Sequence, residues 1–213
     1  MNIDHFDIDK TAMLFFDLLN SFIHGGDDRA KAKKMPMVKN AVRLMNACRT
    51  AAIPIFFAQA NHHVSGSTAS NPITDTDTGL TPWPNGEVTW RKPHTIDGDW
   101  GSQVIPELEP QPDDYYIPKC RYSAFYQTYL DLALRSRGID TLIISGGSTD
   151  VGVCATVFAG RDYDYHWIVA RDACATSHDP RSHESLMELV FPRMARVRST
   201  DQIMAMIQTA AKT

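Results

Sequence analysis

Thr141-Leu142-Ile143-Ile144-Ser145 runs straight into Gly146-Gly147, and a helical pattern opens near Asp150 and lasts to about Asp162. A short apolar run that ends in glycines and enters a helix reads as a buried strand followed by a crossover helix. Comparable segments lie on either side. Upstream, Ala12 to Phe16 is a strand ending at Asp17, and Met37 to Ala51 carries Val38, Val42, Met45 and Cys48 at helical spacing. Ile53 to Ala58 is a second strand, and Tyr115-Tyr116-Ile117 a third that leads to Lys119. Phe125 to Arg137 places Leu130 and Leu134 on one face and stops at Gly138, a residue suited to a helix C-terminus. Downstream, His166 to Ala170 is a strand and Ser182 to Val190 a helix. Ala195 to Arg198 is a short last strand, and Thr200 caps a C-terminal helix. Strands alternating with helices predict an α/β, three-layer fold. A parallel six-stranded sheet is covered by helices on both faces, in one domain over 1–213.

In a sheet of this kind, ligands bind beyond the carboxyl ends of the strands. That rule selects Asp17 after the first strand, Gln59 after the second, Lys119 after the third and the Gly146 to Gly152 turn after the fourth. An acid, an amide, an amine and a helix N-terminus are therefore expected around one pocket. The stretch from 62 to 99 is rich in Thr, Asp, Pro and Gly and too long for a plain connection. It is expected to be a functional or interface loop.

Composition bounds the rest. The chain has 213 residues, 43% hydrophobic and 22% charged, with a net charge of -4. The acidic balance gives no reason to expect nucleic acid or an anionic membrane as a partner. Four cysteines without a CxxC pair, behind an acidic, polar N-terminus, point to reduced thiols and a cytoplasmic protein. Trp83, Trp90, Pro82, Pro84 and Pro93 put apolar, semi-rigid material into the long loop, so a homo-oligomer, dimer or tetramer, is expected.

The segments at the strand ends carry a resemblance. Phe16-Asp17-Leu18-Leu19-Asn20-Ser21-Phe22 is similar to the D-x-x-N-x-F opening of the isochorismatase-like hydrolases. Lys119-Cys120-Arg121-Tyr122-Ser123-Ala124-Phe125 resembles their K-x-R-Y-S-A-F, in the form of isochorismatases proper. Ser145 to Thr156 resembles the family's G-x-x-T-N-x-C-V-x-x-T, and Tyr165 to Ala173 the run that follows it. The resemblance implies a Rossmann-like fold, a small-molecule substrate and an Asp17–Lys119 catalytic pair whose side chains lie within about 4 Å of each other. It also implies a cis peptide at Gly147–Ser148. Gln59, Arg121, Tyr122, Ser148 and Thr149 are the substrate-binding candidates. Arg121 has two readings, a fork for a substrate carboxylate or a structural strut.

Thr149 and Thr156 set a register in which Gly152 falls where most relatives carry a nucleophilic cysteine. Glycine has no nucleophile, so acyl-enzyme chemistry at 152 is excluded. The resemblance implies that isochorismatases proper also carry glycine here and cleave a vinyl ether without a covalent intermediate. Gly152 is then expected in the first turn of the helix, facing Asp17 and Lys119, with backbone N–H groups of 150–152 offered to negative charge. Cys154 lies two residues on, about 200° round a helix, and reads as a core thiol. His62 and His63 do not reproduce the D-x-H-x-x-H zinc pattern of nicotinamidase relatives, because Gln59 and Asn61 take the first two positions. No metal and no cofactor are therefore expected. Three functions follow in order: non-covalent acid-base hydrolysis of a small anionic molecule, amide hydrolysis through Cys154, and ligand binding without catalysis.

Overall fold

The computed structural model describes residues 4–70, 77 and 95–212. Six parallel strands form one sheet: β1 (Thr11–Phe16), β2 (Ile55–Ala60), β3 (Tyr115–Lys119), β4 (Thr141–Gly147), β5 (His166–Ala175) and β6 (Arg196–Arg198). Their order is β3-β2-β1-β4-β5-β6, so the chain reverses direction across the sheet between β1 and β4. β1, at the centre, is buried along its whole length. Its odd and even residues feed two separate cores, because successive side chains of a strand point to opposite faces. Met13 and Phe15 pack with α2 (Asp28–Thr50) and α6 (Thr200–Ala210). Ala12, Leu14 and Phe16 pack with α3 (Leu130–Arg135) and α4 (Cys154–Asp162). Two covered faces explain why the strands read as unbroken apolar runs. A short α1 (Asn20–Ile23) and α5 (Pro180–Ser185) complete the helices named here.

Element bounds differ from the sequence reading where local signals are weak. α2 begins at Asp28, not near Met37, and passes through Pro36. Its first two turns carry Arg29, Lys31, Lys33 and Lys34 and no apolar stripe, so periodicity cannot detect them. Asp27 marks the true start: its carboxylate accepts the Ala30 N–H at 2.8 Å. β2 is displaced to Ile55–Ala60, which brings Gln59 inside the strand. The helix expected over 125–137 is confined to Leu130–Arg135. Gly138 ends it in the left-handed region at φ +68, and the Ile139 N–H reaches back to the Leu134 carbonyl at 3.0 Å. The C-terminal helix is capped by Ser199 in a capping box with Gln202; Thr200 instead binds Asp172 through its N–H and hydroxyl.

Within the long loop His62 forms a parallel bridge to Ile96, and a 3-10 turn, Trp100–Ser102, follows it. Trp83, Trp90, Pro82, Pro84 and Pro93, on which the expected self-association rests, lie outside the described residues. Among the described residues no helix is long and apolar enough to cross a membrane.

Candidate active site

β1 and β3 deliver an acid and an amine to one point. The Lys119 Nζ donates to Asp17 Oδ2 at 2.8 Å, with the two side chains 4% and 11% exposed. Asp17 is the first residue past β1 and holds φ +50, a conformation unusual for any residue but glycine. Neighbouring chain fixes it there. The Asp17 N–H bonds the Ala58 carbonyl at 2.9 Å, and Oδ1 accepts the Ala60 N–H at 2.7 Å. Burial pushes the Asp17 carboxyl above the ordinary range, against the opposing pull of Lys119, the Ala60 hydrogen bond and His62. A carboxyl held this way keeps its proton to higher pH than a surface aspartate.

Phe16 completes this corner. Its ring is 1% exposed, and the Lys119 ammonium sits over its face, 4.3 Å from the centroid. The edge of the same ring lies against Gly152. A Cβ built on Gly152 would overlap Phe16 Cε1 and Cζ and come within 3.3 Å of Cδ1. The Phe16 ring therefore takes the space that a side chain at 152 would need. Phe16 shares this corner with Asp17, whereas Phe15 faces the opposite core.

β4 enters the helix through a cis Gly147–Ser148 peptide and a π-helical turn, Thr149–Val153, that continues into α4. Gly152 is buried in that turn. The Val151 and Val153 N–H groups both donate to the Ser148 carbonyl, at 3.3 and 3.1 Å. Of the backbone donors expected to face a ligand, the one on Val151 is thus occupied within the turn. Thr149 is fully buried, its hydroxyl 2.9 Å from His183 Nδ1. The Asp150 carboxylate gathers hydroxyl donors from Ser148, Thr176 (2.8 Å) and Ser182 (2.7 Å), with His178 Nδ1 at 3.6 Å. Burial pushes the Asp150 carboxyl up, but these hydrogen bonds outweigh it and bring it down to about 2. A folded-state pKa below the unfolded value adds stability above pH ~4 that is lost as pH falls toward 2. Asp150→Ala is expected to remove about 2 kcal/mol of stability at pH 7 and to flatten the acid limb of the pH–stability curve, read by urea melts. An unchanged acid limb would show that the clamp is energetically idle.

The other candidates are more scattered. Gln59 donates to the Ser102 carbonyl at 3.2 Å and so braces the Trp100–Ser102 turn. Arg121 donates to the Thr68 and Cys120 carbonyls at 2.9 and 2.7 Å, which favours its reading as a strut. Tyr122 is exposed. Cys154 packs against the α3–α4 core, and burial, with the Asp150 charge second, pushes its thiol up and away from thiolate. An open cleft lined by Lys10, Asp140, His166 and Arg196 lies at the amino ends of the strands, opposite this site.

Residues 11–202 match the isochorismatase domain family model. The chain belongs to the isochorismatase family. An uncharacterised isochorismatase family protein, YwoC of Bacillus subtilis, is 30% identical over 208 residues, covering 98% of this chain and all of its own length. The ureidoacrylate amidohydrolase RutB of Pseudomonas savastanoi pv. phaseolicola is 32% identical over 177 residues, covering 77% of this chain and 70% of that protein. In structure, an isochorismatase family protein of Burkholderia thailandensis matches with a TM-score of 0.75 at 24% identity, over 94% of this chain and 96% of that one. N-carbamoylsarcosine amidase of Thermoplasma acidophilum matches with a TM-score of 0.67 at 30% identity, over 90% and 97%. The protein is thus an isochorismatase-family hydrolase with the six-stranded parallel sheet expected.

Three residues of this isochorismatase-family hydrolase escaped the sequence reading. Phe16 reads as strand core, without its contacts to Lys119 and Gly152. Asp150 was seen as a helix start, without its partners Thr176 and Ser182. His183 showed no surrounding motif, yet it meets Thr149 and is half-buried, with its pKa lowered by burial. No local signal marks these pairings, since each joins residues 26 to 34 positions apart.

Proposed function

We propose that the protein hydrolyses a small, anionic metabolite by acid-base catalysis without a covalent intermediate. The observation that carries this reading is the buried Asp17–Lys119 pair, 2.8 Å apart, and its support is glycine, not cysteine, at 152 in the turn that enters α4. Asp17, protonated, delivers its proton to an enol-ether carbon or to a leaving group. The cation left on an enol ether takes up water and collapses to a carbonyl compound and an alcohol. Lys119 steadies the carboxylate that Asp17 becomes and attracts the anionic substrate. Gly152 supplies no nucleophile.

A second reading takes its support from the relatives. Ureidoacrylate amidohydrolase and N-carbamoylsarcosine amidase cleave, by their names, amide or ureido C–N bonds. In this chain that chemistry would need Cys154, the helix cysteine nearest 152 in sequence, whose thiol is held toward the protonated form. One experiment separates the two. The purified protein is assayed on isochorismate, ureidoacrylate and N-carbamoylsarcosine before and after exhaustive iodoacetamide. Vinyl-ether cleavage that survives alkylation is the expected result. Turnover of a ureido substrate that alkylation abolishes would overturn the proposal.

A further inference from the structure

We infer that Phe16 is a positioning residue paired with Gly152: its ring fills the space a side chain at 152 would need and carries the Lys119 ammonium on its face. Its bearing on the reaction rests on the non-covalent reading above; the pairing itself does not.

The need for glycine at 152 is the starting point. Its backbone lies outside the left-handed region, so conformation does not demand glycine. Within a helix, glycine is a handicap relative to alanine. What excludes a side chain there is space, and the space is taken by the Phe16 ring edge, Cε1 and Cζ. That ring is not free to swing away. It is 1% exposed, belongs to the core shared by α3 and α4, and has Lys119 on its face at 4.3 Å. Displacing it would unseat the ammonium that bonds Asp17 at 2.8 Å. One ring therefore holds two conditions together: no side chain at 152, and a fixed, dry seat for the acid pair.

A second glycine supplies the control. Gly160 faces Trp167, and a Cβ there would lie 2.8 Å from Cε2 and 2.9 Å from Nε1 of the indole. This is the same steric arrangement, with no acid pair attached.

Wild type, Gly152→Ala, Phe16→Leu, the double variant and Gly160→Ala are compared by thermal melting and by NMR titration of the Asp17 carboxyl. Leucine removes the ring edge and the aromatic face but keeps an apolar strand residue. Gly152→Ala is expected to lower Tm by about 5 °C, and the same change in the Phe16→Leu background to cost far less or to stabilise. Equal cost in both backgrounds overturns the pairing. Phe16→Leu is expected to admit water and move the Asp17 titration down by about half a pH unit, while Gly160→Ala lowers Tm and leaves that titration unchanged. An Asp17 titration in Phe16→Leu that coincides with Gly160→Ala overturns the positioning role. Should Gly152→Ala fail to fold, the double variant is still expected to fold, and a double variant equally insoluble overturns the inference. None of these readouts depends on turnover, so they stand apart from the failure or success of the proposed reaction.

Discussion

Asp17→Asn is expected to lower kcat/KM about a thousandfold while leaving the fold intact, because a positioned general acid contributes on that scale. Asparagine is nearly isosteric, keeps one oxygen to accept from either Lys119 or Ala60 while its NH2 replaces the other acceptor, and has no proton to deliver at neutral pH. The comparison is made on the substrate that the alkylation assay identifies, with circular dichroism as the check on folding. A variant within tenfold of wild type would remove Asp17 from the chemistry. The wild-type pH profile carries the same logic. The reaction needs Asp17 protonated, and burial raises its pKa, so activity is high below that raised value and falls as pH rises through it. An activity that instead grows steadily across that range would mean that the carboxylate, not the acid, is the working form.

The largest expected loss of stability lies away from the site. Arg49, in the last turn of α2, grips both oxygens of Asp114 at 2.5 and 2.6 Å, and the Gln111 N–H adds a third bond at 2.8 Å. The Asp114 side chain is only 2% exposed and directly precedes β3, an edge strand. Arg49→Met strands a buried carboxylate and is expected to cost about 3 kcal/mol. For a chain of this size that corresponds to a fall in Tm of about 10 °C. Adding Asp114→Leu removes the orphaned charge, and the double variant is expected to regain part of the loss. A double variant less stable than Arg49→Met alone would show that the pair contributes mainly through its own attraction. Because β3 also carries Lys119, the same pair anchors the strand that presents the amine.

The sheet and the acid pair were legible because their signals are local. An apolar run such as Leu142 to Ile144 is bounded by turn residues, and a charged residue at a strand's end marks the ligand side by topology alone. Asp17 and Lys119 are found this way, although 102 positions separate them. Less local features gave way. The charged first turns of α2 carry no period, and the helix expected from Phe125 shortened to Leu130, where tertiary contacts compete with propensity.

What the amino-acid order determined by itself was the alternation, hence a parallel sheet, and the register that places glycine at 152. Tertiary structure alone decided what that glycine faces. Strand order β3-β2-β1-β4 lays Phe16 between Lys119 and the helix turn, and the even positions of β1 turn that ring toward both. A pairing between residues 136 positions apart is set by side-chain volume at one point of a packed interior, and no local pattern encodes it.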